Sequence, residues 1–130
     1  MRPLDTIDAA LAELKLGKMI IVVDDEDREN EGDFVMCADM ITPAAVNFMA
    51  THGRGMICAP LTPEKAEILN LPLQVGTNTA PLGTAFTVTI DAIDKVTTGI
   101  SSADRAHSLK LIANPNAKAS EFSRPGHIFP

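Results

Sequence analysis

Cysteine is scarce in this sequence: 130 residues contain two, Cys37 and Cys58, 21 positions apart, with no CxxC pair and no histidine at ligand spacing. That excludes a disulfide scaffold and a structural zinc site. Long apolar runs are missing as well. The longest aliphatic stretch, Met19 to Val23, has five residues, too few for a signal core or a membrane span, and acids appear from Asp5 onward, so no membrane association and a cytoplasmic location are expected. No repeat or low-complexity tract argues for a solenoid or for disorder. With 45% hydrophobic residues, a chain of this length is expected to form one compact domain.

Surplus positive charge is also lacking. Seventeen acids face eleven bases, a net charge of -6. The segment Asp24 to Asp33 reads DDEDRENEGD and holds seven carboxylates against Arg28, so it accounts for the whole surplus while the rest of the chain is balanced. A concentrated patch of this kind points to a cation partner and away from nucleic acid.

The order of local signals favours an α/β fold, a mixed β-sheet layered with α-helices. Ile7, Ala10, Leu11 and Leu14 recur at helical spacing behind Asp5 or Thr6 as cap, with Gly17 as a stop. Met19 to Val23 suits a buried strand and Phe34 to Ala38 a second. Thr42-Pro43 caps a helix reaching about His52, Met56 to Ala59 suits a short strand, and Thr62-Pro63-Glu64 opens a helix through about Leu69. Gln74 to Gly83 reads as a loop. Ala85 to Ile90 alternates as a strand, and a helix capped by Ser101 or Ser102 runs to about Ala113. From Asn114 to Pro130 no helix or strand is expected. The strand candidates are expected to join in one sheet, with the acidic segment at its edge or end.

Glu29, Glu31 and Asp33 occupy alternate positions, so an extended backbone would put them on one face with Cα atoms roughly 6 to 7 Å apart. Carboxylates that close raise one another's pKa unless a cation compensates them. A bound metal or a retained proton follows. A solvated acidic loop is the plain alternative, but flanking apolar strands and the placed Arg28 and Gly32 speak against it. A calcium-binding EF-hand loop counted from Asp27 puts Gly32 correctly at the sixth position, yet leaves Ala38 at the twelfth, where a bidentate Glu is required.

DDEDRENEGD after an apolar strand, followed in order by HGRGMIC (His52 to Cys58), GTAFTVTI (Gly83 to Ile90), TTGISSADR (Thr97 to Arg105) and RPGH (Arg124 to His127), resembles the 3,4-dihydroxy-2-butanone 4-phosphate synthases of riboflavin biosynthesis. The resemblance covers essentially the whole chain. It implies a lyase, a cytoplasmic homodimer that converts D-ribulose 5-phosphate to L-3,4-dihydroxy-2-butanone 4-phosphate and formate with Mg2+, or Mn2+ as the alternative.

The resemblance also implies roles. Glu29 is the metal ligand; Arg28, Glu29 and Asp33 contact the sugar phosphate; His127 is a catalytic histidine; Glu31 and Asp24 are acid or base groups of the same cluster. Thr98 falls near the substrate, just before a helix N-terminus where free N–H groups attract anions. Cys58, a lone cysteine of the kind that usually fills a core, becomes a second-rank catalytic candidate. His52 and His107, both within expected helices, are read as solvated or capping residues.

Compared with the family, the domain in residues 1–130 is expected to be incomplete at its C-terminus, lacking a second histidine motif and a further catalytic glutamate. The competing expectation is therefore an inactive fragment that binds metal or dimerises. A cyclohydrolase domain, to which this family is often fused, is not readable from these residues.

Overall fold

The computed structural model describes residues 4–130. Four α-helices and four strands follow one another as α1 (Ile7–Lys15), β1 (Ile20–Val23), β2 (Gly32–Val35), α2 (Pro43–Phe48), α3 (Pro63–Ile68), β3 (Ile90–Ala92), α4 (Ser102–Ala113) and β4 (Phe122–Ile128), with short 3-10 turns at Ala38–Met40 and Ala119–Glu121. The α/β class expected from the sequence is observed.

The helices begin where local chemistry says they should. Thr6, Thr42, Thr62 and Ser101 each accept a hydrogen bond from the N–H three residues on, satisfying donors that the first turn leaves unpaired. Pro43 and Pro63 add a preset φ at the first helical position. α2 continues as a wide π-type turn over Met49–Gly53 and ends at a left-handed Arg54, so the segment reaches the expected length.

The strands depart from expectation. In place of one sheet joining all the strand candidates there are two antiparallel ladders, β1 with β2 and β3 with β4. Around β4 the pairing is mixed in direction, because Cys58 adds a single parallel bridge to Phe129 while Leu73 bridges Thr87 antiparallel. Met56 to Ala59 is thus reduced to that bridge. The Ala85 to Ile90 candidate becomes bridged backbone leading into β3. β2 starts two residues before Phe34 and ends at Val35, since the register Val23↔Gly32 to Ile20↔Val35 closes the hairpin around the acidic loop.

β4 itself corrects the expectation of an irregular tail. Pro125 and Gly126 read locally as breakers, but a bulge accommodates both. Ile90 faces Ile128 and Asp91 faces Ser123, so Arg124 to His127 bow out opposite the Ile90–Asp91 junction. Gly126 passes so close to the Ile90 and Asp91 backbone that a Cβ there would collide with main-chain atoms.

The core lies between α4, α2 and the β3–β4 ladder, with Ile41, Val46, Leu69, Ile90, Leu109, Ile112, Phe122 and Ile128 buried together. β1 was expected to be buried and is not: Ile21 is 65% exposed, with Val22 and Val23 also open. α1 likewise buries none of its residues, and its apolar stripe leaves Ile7 76% exposed. Among the described residues, no helix is long and apolar enough to cross a membrane.

Candidate active site

Two structured loops carry the motif residues. The first is the β1–β2 connection. Asp24, at the end of β1, uses Oδ2 to accept from Arg28 Nη1 at 2.8 Å and from the Glu29 amide at 2.9 Å, while its Oδ1 accepts from the Glu31 amide at 2.9 Å. The amides of Glu31 and Glu29, with Arg28 behind them, hold the Asp24 carboxyl down at about 2. Held in this way, the Asp24 carboxylate organises the loop.

Arg28 Nη1 also lies 3.2 Å from Glu29 Oε2. Its guanidinium is therefore shared between Asp24 and Glu29, which raises its pKa further. Asn30 is left-handed, with φ 52°. That kink breaks the extended run, so Glu29, Glu31 and Asp33 do not share a face by simple alternation. Asp33 instead sits within β2 opposite Val22.

The loop offers exposed carboxylates at Asp25, Glu26, Asp27, Glu29 and Glu31, yet among the described residues no three His, Cys, Asp or Glu side chains converge on one point. One tethered carboxylate beside free ones does not make a closed cage. It suits magnesium, which keeps several waters and takes one or two carboxylates together with substrate oxygens. Glu29 is one of the exposed carboxylates of the loop that such a cation can draw on.

The second loop surrounds His127. Its Nδ1 lies 2.6 Å from Asp91 Oδ2, and its amide donates to Asp91 Oδ1 at 2.9 Å. Asp91 is buried in β3, whereas the His127 side chain keeps 39% of its surface. Gly99, with φ +93°, packs directly on both partners, and a Cβ there would strike the Asp91 carboxylate and the His127 ring. Thr98 is its exposed neighbour.

The turn carrying Thr98 is held by buried Asp104, whose Oδ2 accepts from Thr97 Oγ1 at 2.8 Å and from the Gly99 amide at 3.0 Å. The Thr97 hydroxyl is the main cause keeping the Asp104 carboxyl low despite its burial. Arg124 of RPGH turns the other way and donates to Leu69 O at the end of α3, at 2.6 Å.

Between the hairpin and α4 lies a cavity of about 640 Å³. Asp33 and Cys58 meet there, among Phe34, Met36, Met56, Leu61, Leu109 and Ile112. Partial desolvation and then the charge of Asp33 push the Cys58 thiol upward, although the residue remains exposed. Neither Glu29 nor His127 lines this apolar space, so it is not where a sugar phosphate would be gripped by them. No hydrogen bond or ion pair among the described residues joins the acidic loop to His127.

Sequence reasoning missed Asp91 and Asp104. A signal existed for the first: Asp91 directly follows the alternating strand candidate Ala85 to Ile90, and a carboxylate in such a position needs a partner when buried.

The family model for 3,4-dihydroxy-2-butanone 4-phosphate synthase matches residues 8–130. The chain belongs to that synthase family. It is 56% identical over 128 residues to the riboflavin biosynthesis protein RibBA of Aquifex aeolicus (strain VF5), covering 97% of this chain and 32% of that protein. To the 3,4-dihydroxy-2-butanone 4-phosphate synthase of Pseudomonas aeruginosa PAO1 it is 50% identical over 127 residues, covering 98% and 35%.

Solved synthases have the same fold. One, in complex with two magnesium ions, superposes with a TM-score of 0.95 at 45% identity, covering 98% of this chain and 59% of the other. A second, the two-domain synthase RibBX from A. baumannii, gives 0.91 at 43% identity, covering 97% and 37%. The chain thus spans about a third of the curated relatives' length and less than two-thirds of these solved synthases.

Proposed function

We propose that this chain forms part of a riboflavin-pathway lyase that converts D-ribulose 5-phosphate to L-3,4-dihydroxy-2-butanone 4-phosphate and formate. The observation that carries the reading is the close superposition on a magnesium-bound synthase at 45% identity, across a chain whose acidic hairpin and His127 loop are both ordered by internal carboxylates. The overall reaction balances without consuming water or a redox partner. Its demands are proton transfers on a 2-keto sugar phosphate and stabilisation of the oxyanion charge they create.

Glu29 is the proposed cation ligand, with magnesium as the cation and manganese as the alternative. When bound, the cation supplies Lewis-acid stabilisation of that oxyanion charge. Arg28, fixed by Asp24, presents a permanent positive charge to the sugar phosphate beside Glu29. Asp33 and Thr98 contact the substrate, Glu31 and His127 move protons, and Cys58, kept protonated by its surroundings, donates a hydrogen bond. Asp24 is left as the residue that shapes the loop.

The domain in residues 1–130 is proposed to act as one part of a larger catalytic unit, in a cytoplasmic homodimer. Open apolar side chains on α1 and β1 support burial against further protein. The test is formate release from ribulose 5-phosphate by the full-length protein carrying this chain. Magnesium-dependent release that disappears in Glu29→Gln is expected; release unaffected by both chelation and Glu29→Gln would overturn the assignment.

A further inference from the structure

We infer that Asp91 is a positioning residue that locks His127 in the Nδ1–H tautomer and leaves Nε2 as its free proton acceptor. The inference rests on the reading of His127 as a proton-transfer group and adds which nitrogen works and what selects it.

The geometry leaves one arrangement. A backbone amide can only donate, so Asp91 Oδ1 is committed to the His127 N–H at 2.9 Å. The other oxygen then faces Nδ1 at 2.6 Å. A carboxylate anion can only accept, so the proton between them sits on Nδ1 and the neutral ring has its lone pair on Nε2.

Three features hold the pair in register. The bulge in β4 returns His127 to Asp91 rather than letting it continue along the ladder. Gly126 permits that return, because its amide reaches Thr89 Oγ1 at 3.1 Å while its missing Cβ clears the β3 backbone. Gly99 covers Asp91 Oδ2 and His127 Nδ1 from the α4 side. The shielded edge of the imidazole is therefore the Nδ1 edge; the Asp91 side chain is 8% exposed against 39% for His127.

Replacing Asp91 with Asn makes a sharp prediction. The amide oxygen stays with the backbone N–H, which still needs an acceptor, and the amide nitrogen then faces Nδ1 as a donor. The ring must switch to Nε2–H, which removes the acceptor at the open edge without removing any side chain from the site.

The tautomer is read from the ring nitrogens of the 15N-histidine-labelled full-length protein by long-range proton–nitrogen correlation at pH about 8.5, where an ordinary imidazole is neutral. His127→Gln identifies the His127 signals against those of the other histidines. Nδ1–H in the wild type with reversal in Asp91→Asn is expected. Nε2–H in the wild type, or an unchanged Nδ1–H ring in a folded Asp91→Asn, overturns the inference. If Asp91→Asn does not fold, the wild-type spectrum decides alone.

In the full-length protein, Asp91→Asn is expected to lower kcat by roughly 10²- to 10⁴-fold with little change in KM, the scale of a lost acid–base group. The two readings fail separately. Formate release with His127 as Nε2–H removes the positioning role and keeps the reaction, whereas Nδ1–H without formate release keeps the locked tautomer and removes the reaction.

Discussion

Asp24 and Glu31 close the acidic hairpin from both sides: the Asp24 amide donates to Glu31 O at 3.4 Å, and the Glu31 amide donates to Asp24 Oδ1 at 2.9 Å. With Arg28 and the Glu29 amide on Oδ2, one carboxylate organises an eight-residue loop in which five further carboxylates crowd together. Its stabilising effect depends on charge. Because its pKa falls from the ordinary 3.8 to about 2 on folding, the contribution is complete above about 3.8 and is lost as pH drops through about 2.

The loop is therefore expected to stay ordered to well below pH 4 and then release. Amide exchange at Glu29 and Glu31 followed against pH should report a midpoint near 2, and Asp24→Asn should leave both amides unprotected at neutral pH. Protection unchanged in Asp24→Asn would mean that the backbone turn holds itself.

Glu29 and Glu26 separate a specific cation contact from a diffuse field. Glu29 is tethered by Arg28 at 3.2 Å, while Glu26 is exposed on the same turn. A charge-assisted contact is worth about 1.5–3 kcal/mol, so calorimetric titration with magnesium should weaken roughly tenfold or more in Glu29→Gln and little in Glu26→Gln. Equal losses would assign the binding to the summed charge of the cluster.

The parts of this fold that could be read in advance were those specified within a few residues. Thr42-Pro43 and Thr62-Pro63 announce their helices because cap and first turn are adjacent in sequence. β4 was invisible because Pro125 and Gly126 are breakers locally, and only the partner Ile90–Ala92, thirty or more residues earlier, gives the segment a ladder to join. The site divides in the same way. Arg28 and Glu29 stand out through charge density, and His127 through its motif. Asp91 acquires meaning only when a bulge returns His127 across 36 positions of sequence. The left-handed Asn30, which undoes the alternate-face argument, is the non-glycine residue of DDEDRENEGD best suited to a positive φ, and hairpin closure uses it there.

Gly126 and Gly55 make a matched pair for testing that bulge. A Cβ at Gly126 meets the main chain of Ile90 and Asp91, which cannot swing aside as a side chain would, whereas nothing lies within 4 Å of one at Gly55. Overpacking against backbone belongs at the upper end of its usual range, about 3 kcal/mol. Urea unfolding should show Gly126→Ala destabilised by roughly that amount and Gly55→Ala close to wild type. A Gly126→Ala protein of wild-type stability would mean that β4 can pair with β3 without this close approach.

Cys58 and Asp33 couple the rim of the apolar cavity to the acidic hairpin, and the sign of the coupling can be tested chemically. Partial burial and the nearby negative charge both disfavour the thiolate, raising the Cys58 pKa above its ordinary 9.0. Since the thiolate is the reactive form, alkylation by iodoacetamide at pH about 7.5 should be slower than for an unstructured cysteine peptide despite the exposed sulfur. Asp33→Asn removes one of the two causes and leaves the side-chain volume nearly unchanged. Its Cys58 should react several-fold faster, and the gap from wild type should shrink in high salt as the Asp33 charge is screened. The rate is followed by mass spectrometry of the Cys58 peptide, which separates it from Cys37. An Asp33→Asn protein that reacts no faster at low salt would assign the raised pKa to burial alone and remove Asp33 from the electrostatics of the cavity rim.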